Sequence, residues 1–413
     1  MALKSIITME AKPKIFISAH YLEIGGAEIS LIGLLQAIDY SMYDVDLFLY
    51  RHVGDLMQFI PQAVNLLPEV KEYTQFECSL RNTLFSRFWR IGLARVKTKL
   101  QYFRFAKSHQ CKDANAYYQL LADNVTPLLP SLEYLGEYDL AINFIGLMNI
   151  IRDKVKAKRR ITWIHTDYSK ISVFPEIELS AWSSYDYIVS VSDDVSKNFT
   201  QVFPSLKDKI IKIENILSPE FVRNRAELIS KVEIDKAMPD IDGCLKLLTI
   251  GRYAHAKKLE DIPCICRGIL DAGIDVKWYI IGYGASDEYI RKEIERSNVK
   301  DNVILLGKKE NPYPYIKACD WYVQPSRYEG KSVVVREAQI LGKPVIVTNY
   351  PTAASQIQHG IDGVIVPMEV GACSNEMSMY LSNLELKQRL ENYVTSHDYG
   401  NVSEVNKIYN ILQ

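Results

Sequence analysis

Two cations follow the apolar run Leu245–Gly251 in the second half of the chain. Arg252 comes directly after the strand-like run, and Lys257 stands where the next helical pattern begins. Arginine grips a phosphate through two parallel hydrogen bonds, and lysine adds a compact positive charge. A cation pair at a strand end is therefore suited to a diphosphate. Cations after strands are also common as plain surface residues, so the pair alone is unspecific.

Two carboxylates follow a later strand. Glu329 precedes a helix predicted to begin near Lys331 or Ser332, and Glu337 lies about two turns inside it. Free N–H groups at a helix start bind anions, and Gly330 lets the backbone approach a ligand closely. Carboxylates only accept hydrogen bonds, so they suit sugar hydroxyls better than phosphate. Taken singly, each glutamate is better explained as a charge at a helix N-terminus or as a surface acid.

The first half offers a glycine pair and a histidine. Gly25 and Gly26 stand between a predicted strand and helix, which permits close approach to a phosphate. The spacing is not G-x-G-x-x-G, so no dinucleotide site is predicted. His165 ends another strand, although any single histidine here is more often structural than catalytic.

Short runs rich in Val and Ile alternate with amphipathic segments, which is typical of parallel sheets covered on both faces. Six strands are predicted in the first half: Lys14–Ala19, Asp44–Tyr50, Asp139–Phe144, Arg160–His165, Tyr187–Val191 and Ile210–Ile216. Six are predicted in the second half: Leu245–Gly251, Val276–Gly282, Asn302–Gly307, Trp321–Gln324, Pro344–Thr348 and Gly363–Val366. The pattern predicts an α/β protein with two doubly wound Rossmann-like domains facing a central cleft, where ligands bind beyond the strand ends.

These motifs resemble the retaining family 4 glycosyltransferases of the GT-B fold, of the bacterial cell-surface polysaccharide type. The likeness is specific from Gly251 to Pro367 and looser in the first half. It rests on Gly25-Gly26-Ala27-Glu28, Gly251-Arg252 with Lys257, Ile281-Gly282-Tyr283-Gly284, Glu329 to Glu337, Gly342–Thr348 and Gly360–Gly363. It implies an acceptor-side domain over 1–219, a nucleotide-sugar domain over 220–386 and a C-terminal helix, 387–413, returning to the first domain.

The resemblance also implies roles. Arg252 and Lys257 would hold the diphosphate and stabilise the leaving group. Glu337 would bind the ribose, Glu329 would contact hydroxyls of the donor sugar, and His165 would sit near the donor sugar and the acceptor. The remaining donor-binding residues would be Gly25, Gly26, Leu306, Gly330, Lys331, Ser332 and Val333.

A front-face mechanism, in which the leaving phosphate oxygen takes the acceptor proton, needs no protein nucleophile. No cofactor and no metal are expected, because the cation pair can replace Mn²⁺. Three departures from the family blur the donor sugar but leave the diphosphate site intact. They are Lys258, where glycine is frequent, Lys331-Ser332 after Gly330, and Ser355-Gln356 in place of a glutamate.

The segment Arg81–Lys107 contains eight basic residues and no acidic one, interleaved with aromatic and aliphatic side chains. A helix of this kind suits an anionic membrane surface. The alternative is a solvated helix whose aromatics pack on the core. Because no signal peptide and no run of ~18 apolar residues is found, the expected location is cytoplasmic, with peripheral contact at the inner face of the membrane.

The composition is that of an ordinary globular protein: 413 residues, 48% hydrophobic and 24% charged. Lys plus Arg number 49 against 50 Asp plus Glu, a net charge of −1, so no nucleic-acid partner is expected.

The leading prediction is a hexosyltransferase. It would move a hexose or N-acetylhexosamine from a nucleotide sugar, with UDP the expected nucleotide, to a lipid-linked or growing cell-surface glycan. The runner-up is a sugar-nucleotide epimerase of the UDP-N-acetylglucosamine 2-epimerase type, which would need acid and base groups around C2 and C3. The third alternative is a non-catalytic binding protein of the same fold, disfavoured because both cations and both glutamates are present.

Overall fold

The computed structural model describes residues 11–23, 25–76, 78–109, 114–169, 171–329 and 331–413. The chain forms two compact units. The first runs to Ile216 and is joined by Val402–Gln413, and the second is Leu217–Asn401. Each unit is an α/β layer structure built on its own parallel sheet.

The first unit contains a seven-stranded sheet in the order β3-β2-β1-β4-β5-β6-β7. Its strands are β1 (Lys14–Ala19), β2 (Asp44–Leu49), β3 (Asn65–Leu66), β4 (Tyr138–Asn143), β5 (Ala157–Ile164), β6 (Tyr187–Ser190) and β7 (Ile210–Lys212). Its helices are α1 (Gly26–Ala37), α2 (Leu80–Leu84), α3 (Trp89–His109), α4 (Asn115–Val125), α5 (Met148–Lys154), α6 (Pro175–Ser183) and α7 (Asp193–Val202).

The second unit opens with helices α8 (Pro219–Ala226) and α9 (Lys231–Ala237). Its six-stranded sheet, in the order β10-β9-β8-β11-β12-β13, is formed by β8 (Leu245–Ile250), β9 (Val276–Ile281), β10 (Val303–Gly307), β11 (Trp321–Gln324), β12 (Val345–Thr348) and β13 (Val364–Val366). The other helices are α10 (Ile262–Asp271), α11 (Asp287–Arg296), α12 (Tyr313–Ala318), α13 (Val333–Ile340), α14 (Ala353–Gln356), α15 (Val370–Leu381) and α16 (Leu384–Ser396).

Both sheets are parallel throughout, and both have the strand order of a doubly wound Rossmann-like fold. The central strands are buried on both faces, which explains why their sequences are continuous apolar runs rather than alternating ones. All twelve predicted strands are present. The thirteenth, Asn65–Leu66, has two residues and is too short to leave a periodic signal.

The chain passes between the units at Ile216–Leu217 and at Asn401–Val402. The expected break at 219–220 lies three residues further along. The sequence-based segment 387–413 is divided in the structure: most of α16 lies within it but belongs to the second unit, and only 402–413 joins the first. Helix α17 (Asn406–Leu412) packs there, with the Tyr409 ring stacked 4.5 Å from Tyr43.

The basic segment 81–107 folds as α2 and most of α3. One side of α3 contributes Ile91 to the core of the first unit, and Arg95 turns inward to donate to the carbonyls of Gln75 and Cys78. The other side of α3 leaves large apolar residues exposed, among them Phe103 at 69%, and Phe85 at the end of α2 is 86% exposed. No described helix is long and apolar enough to cross a membrane.

Candidate functional site

The loops after β8 and β11 lie side by side because these two strands are neighbours in the second sheet. The connections of the sheet run in opposite directions from this pair: β9 and β10 lie on one side, β12 and β13 on the other. In doubly wound folds such a switch point opens the crevice in which ligands bind. Both predicted polar clusters of the second half start at this point.

Lys257 and Glu329 form the centre of the site. The ammonium Nζ lies 2.6 Å from Glu329 Oε1, and both side chains are largely buried. Ser326 Oγ donates to the same carboxylate oxygen at 2.6 Å, and Gln324 Nε2 donates at 3.1 Å. Three donors therefore fix one carboxylate oxygen, which makes Glu329 a rigid acceptor and a poor nucleophile.

Arg327 ties the two loops together. Its guanidinium donates to the carbonyl of His255 at 2.6 Å and pairs with Glu260 at 2.7 Å. The Arg327 amide donates to the Ala256 carbonyl at 2.8 Å. The short 3₁₀ turn that carries Lys257 is thereby held against the loop that carries Glu329.

Lys258 stands where the resembling family often has glycine, and its contacts show how the turn accommodates a lysine. Its φ is +55°, in the left-handed region that favours glycine. The side chain supplies compensating contacts: Nζ donates to the carbonyl of Met368 and lies 2.7 Å from Asp261 Oδ2. The lysine thus occupies a glycine-type position at a conformational cost that these contacts offset.

Arg252 is exposed beside this turn. Within the described part of the chain its guanidinium has no hydrogen bond or ion pair, whereas Lys257 is held by Glu329. The neighbouring loop comes very close: a Cβ on Gly282, whose φ is +154°, would lie 1.9 Å from the carbonyl oxygen of Gly251. A larger residue than glycine at 282 would displace the backbone that presents Arg252.

Glu337 lies on α13 and is only 1% exposed. Tyr313 donates its hydroxyl proton to Glu337 Oε1 at 2.7 Å. Burial raises the pKa of Glu337 to about 7, against the hydrogen bond from Tyr313 and the positive charge of Arg225. Arg225 itself stacks on the Tyr313 ring, 5.5 Å from its centroid. Because its pKa lies near 7, this carboxyl can accept a hydrogen bond from a ligand hydroxyl when ionised and donate one when protonated.

The predicted helix start needs a correction at Ser332. Its backbone N–H already donates to Gln356 Oε1 at 3.0 Å, and Gln356 Nε2 donates back to the Ser332 carbonyl at 2.7 Å. The amide is therefore occupied, and Gln356 stands where the family often has glutamate. Helix α13 begins at Val333, whose side chain is half-buried, as is that of Lys331. Gly330 lies outside the described residues.

Leu306 lies on the edge strand β10. The register with β9 pairs Leu305 with Ile280 and then Gly307 with Ile281, so Leu306 is skipped as a β-bulge. Bulged residues leave the ladder, and their peptide groups become available to other partners. The donor-binding role of Leu306 stays a prediction.

Gly25, Gly26 and His165 belong to the first unit, at the ends of its strands. Gly26 begins α1, and a Cβ there would meet nothing within 4 Å. His165 Nε2 lies 2.8 Å from the carbonyl of Phe144, which fixes the proton on Nε2 because a carbonyl can only accept. Burial lowers the pKa of His165 to about 4, so the imidazole is neutral.

The structure brings together Lys257 and Glu329 directly and places Arg252, Leu306, Ser332 and Glu337 in the same unit. The sequence did not single out several side chains that hold the site: Arg225, Tyr313, Gln324, Ser326, Arg327 and Thr352. Only Ser326 and Arg327 had a signal, since they stand between the predicted strand Trp321–Gln324 and Glu329. Within the described ranges, no group of three or more His, Cys, Asp or Glu is placed to hold a metal ion.

A family model described as "Glycosyl transferases group 1" matches residues 233–397. This stretch covers most of the second unit and includes both cations and both glutamates. The chain carries a group 1 glycosyltransferase domain. Arg225, which contacts the buried Tyr313–Glu337 pair, lies just before the matched stretch, and the whole first unit lies outside it.

Curated relatives match less than half of the chain. The Campylobacter jejuni N-acetylgalactosamine-N,N'-diacetylbacillosaminyl-diphospho-undecaprenol 4-alpha-N-acetylgalactosaminyltransferase is 30% identical over 169 residues, 40% of this chain and 43% of the relative. The chain thus spans less than half the length of the curated relatives that it matches.

Solved structures match over nearly the whole chain. Anabaena HepE in complex with UDP and glucose has a TM-score of 0.65 at 14% identity, covering 96% of this chain and 98% of its own. S. aureus TarM, in complex with Fondaparinux, alpha-GlcNAc-glycerol and UDP, has a TM-score of 0.66 at 13% identity, covering 97% and 100%. The glycosyltransferase domain and the first unit together have the GT-B fold.

Proposed function

We propose that the protein is a retaining glycosyltransferase of family 4. It transfers a hexose or N-acetylhexosamine from a UDP-sugar to a lipid-linked or growing cell-surface glycan. The single observation that carries the proposal is the Lys257–Glu329 pair at the β8/β11 switch point, with Arg252 exposed beside it. A cation pair suited to a diphosphate stands next to a fixed carboxylate suited to sugar hydroxyls.

The residues of the second unit divide the work. Arg252 and Lys257 bind the diphosphate and stabilise the charge that develops on the leaving phosphate oxygen. Glu329 holds hydroxyls of the donor sugar, and Glu337 with Tyr313 holds the ribose. The acceptor proton passes to the leaving phosphate oxygen on the face from which the acceptor attacks, so the anomeric configuration is kept. No protein nucleophile and no metal takes part.

The choice of UDP and of a lipid-linked acceptor draws on the similar proteins. Both HepE and TarM are known in complex with UDP. The name of the C. jejuni relative specifies a diphospho-undecaprenol acceptor and an N-acetylgalactosaminyl group. His165, neutral and with Nδ1 left as its acceptor nitrogen, is suited to orient an acceptor hydroxyl without carrying charge.

The test is nucleotide binding followed by turnover. We expect UDP, at about 100 times its dissociation constant, to stabilise the protein by about 2.7 kcal/mol in thermal unfolding, with GDP, ADP and CMP giving less. Glu337→Ala should remove the UDP shift, whereas Glu385→Ala, an exposed glutamate of the same unit, should keep it. UDP release from UDP-glucose and UDP-N-acetylglucosamine, unaffected by EDTA, then identifies the donor. No shift with any nucleotide would leave only the fold.

We also propose that α2 and α3 bind an anionic membrane. The basic–aromatic face consists of the exposed residues Phe85, Arg87, Trp89, Arg90, Leu93, Lys97, Lys99, Leu100, Phe103, Arg104 and Lys107. The apolar side chains recur at helical spacing, and basic residues flank them without an acidic neighbour in the sequence. This combination inserts apolar groups at the lipid boundary while attracting anionic headgroups.

Vesicle sedimentation tests the membrane proposal. The protein should bind phosphatidylglycerol-containing vesicles more strongly than pure phosphatidylcholine, and added salt should weaken the binding. The double variant Trp89→Ala with Phe103→Ala should lose it. Tyr134→Ala, which removes an aromatic ring that is 74% exposed elsewhere in the first unit, is the matched control. Equal loss in both variants would contradict a specific face.

A further inference from the structure

The first unit contains a cavity of about 210 Å³ beyond the ends of β4 and β5. Helices α4 and α6 form the other walls, and His165 and Thr166 lie on its border. The volume admits several water molecules, and a group the size of one sugar ring. Nothing in the donor chemistry described above uses this space.

Glu178 of α6 places a buried carboxyl at the cavity. It is 3% exposed, and within the described ranges no lysine, arginine or histidine pairs with it. Asn115 Nδ2 donates to Oε1 at 2.7 Å, but the donors to Oε2, Tyr168 Oη and Trp182 Nε1, lie at 3.3 and 3.4 Å. Burial raises the pKa of Glu178. One oxygen is thus only weakly bonded and would gain from a further donor.

Asn143, at the end of β4, supplies a second group. Its Nδ2 donates to Thr162 Oγ1 at 2.9 Å, while its Oδ1 is buried without a hydrogen-bond partner. The side chain is 3% exposed and borders the same cavity. Because an unpaired buried acceptor is costly, a ligand that brings a donor to Asn143 recovers free energy that the unliganded protein lacks.

Aromatic rings complete the lining. Trp163 and Trp182 are buried against the cavity, and Tyr118 stands at its rim with 57% of its surface exposed. The cavity thus combines flat apolar rings with two hydrogen-bond acceptors, Glu178 and Asn143. This combination suits a ligand that has an apolar face and hydroxyl or amide donors at its edge. A pyranose ring has both. An anionic ligand is disfavoured, since within the described ranges no lysine, arginine or histidine pairs with Glu178.

We propose that this cavity binds one sugar ring of the acceptor glycan, with Glu178 and Asn143 accepting hydrogen bonds from its hydroxyls and Tyr118 packing on its face. That the bound sugar belongs to the acceptor rests on the proposed glycosyltransferase function, which this site deepens. A ring held there would lie beside His165. Helix α3 contacts the segment that leads into α6, which is one wall of the cavity. The ring of Phe105 in α3 packs edge-on against the ring of Phe174, just before α6, with 4.7 Å between the ring centroids.

Saturation-transfer NMR on the full chain tests the cavity directly. The probes are methyl β-glucopyranoside, methyl α-galactopyranoside and methyl N-acetyl-β-glucosaminide, each with and without UDP, and cyclohexanol as a ring with a single hydroxyl. We expect at least one glycoside to show transfer and cyclohexanol to show none. Transfer to no glycoside, or equal transfer to cyclohexanol, would overturn the inference.

Glu178→Gln keeps the size of the side chain and should weaken glycoside binding about tenfold or more, because the carboxylate acceptor is lost. Tyr118→Ala, at the exposed rim, should weaken it without threatening the fold. Glu176→Gln makes the same chemical change on the exposed side of α6 and should change nothing. Unaltered binding in both cavity variants would refute the assignment.

The thermal shift with UDP, measured on the same samples, separates the two proposals. A UDP shift retained in Glu178→Gln, with glycoside binding lost, supports both. Glycoside binding that depends on Glu178 in a protein that no nucleotide stabilises would keep the sugar site and reject the transferase. A UDP shift without glycoside binding would keep the transferase proposal and reject the sugar site.

Discussion

The two units share a strand order but differ in how their ligand-facing loops are held. In the second unit, side chains bind the loops to one another: Arg327 joins the β8 and β11 loops, and Gln356 joins α14 to the start of α13. In the first unit, the loop after β1 is held by backbone bonds from Leu22 to Val53 and from Leu56 to Leu22, and its one side-chain ion pair within the described residues, His20–Glu28, is longer at 3.8 Å. Helix α1 begins at Gly26 with no side-chain cap.

The β8 and β11 loops are thus fixed by shorter side-chain links than the loop after β1. A site that must stabilise charge in a transition state benefits from groups fixed in advance, because they need no reorganisation. The family model matches only residues 233–397. The loops after β8 and β11 lie inside this stretch, and the whole first unit lies outside it. The first unit instead offers a cavity and an exposed helix face, features suited to a partner that differs between enzymes.

The largest effect is expected from Lys257→Ala. It removes the cation that Glu329 and Arg327 hold in place, and loss of one such electrostatic group typically costs 10²–10³ in kcat, about 2.7–4 kcal/mol. UDP release from the donor should fall by that factor. Lys317→Ala, which breaks an exposed pair with Glu227 in the same unit, should leave the rate unchanged. A loss below tenfold would show that Arg252 alone suffices.

Glu337→Gln should raise stability at alkaline pH. The unfolded chain ionises this carboxyl near pH 4.5, whereas the folded protein keeps the proton up to about pH 7, so stability falls as the pH rises between these values. Glutamine cannot ionise, and the variant should gain up to about 3 kcal/mol at pH 8 and nothing at pH 4.

Thermal unfolding at both pH values, without nucleotide, measures this gain, with Glu385→Gln as the exposed control. The UDP shift should fall in the same variant, since the ribose loses its carboxylate. A pH-independent difference between Glu337→Gln and the wild type would contradict the raised pKa.

Arg327→Ala should remove the side-chain link between the β8 and β11 loops of the second unit. Two charge-assisted contacts of a half-buried guanidinium are lost, so unfolding should become easier by about 1–2 kcal/mol. UDP affinity should drop because the Lys257 turn is no longer held. Arg327→Lys, which keeps the charge but not the forked geometry, should recover only part of both. Calorimetry and UDP titration are the measurements.

Gly26→Ala should have the smallest effect on stability and tests the first unit alone. The new methyl group meets no atom within 4 Å, and alanine favours helix, so the unfolding free energy should stay equal or rise by up to about 1 kcal/mol. If Gly26 approaches the donor diphosphate, KM for the UDP-sugar rises nonetheless. An unchanged KM would remove Gly26 from the donor-binding set.

The sheets could be predicted from the sequence because buried parallel strands leave continuous apolar runs bounded by turn residues. The sequence placed Lys257 and Glu329 beyond strand ends of the same domain, because the ends of parallel strands meet at one edge of a sheet. It did not predict that the two side chains contact each other. The supporting side chains could not be predicted. Arg225 lies on α8, more than a hundred residues from Glu337, and its stacking on Tyr313 depends on packing that no local pattern records.

The sequence also could not show how the residues of 81–107 divide between core and solvent. The eight basic residues look alike in the sequence, but Arg95 is turned inward by three acceptors, the carbonyls of Gln75 and Cys78 and the hydroxyl of Thr83. Likewise, Ser332 was predicted to offer a free amide, and only the structure reveals that Gln356 occupies it. In both cases a distant partner decides the role.

The crossing of residues 402–413 into the first unit has a consequence for biosynthesis. Asp39 donates its amide proton to Tyr409, and Ile408 and Ile411 are buried, so the first unit is incomplete without them. A ribosome adds roughly 5–20 residues per second, and Leu217–Asn401 must be made in between, which takes about 10–40 s. During that interval the nascent first unit exposes an apolar groove, so chaperones have a defined surface and a defined time in which to hold it.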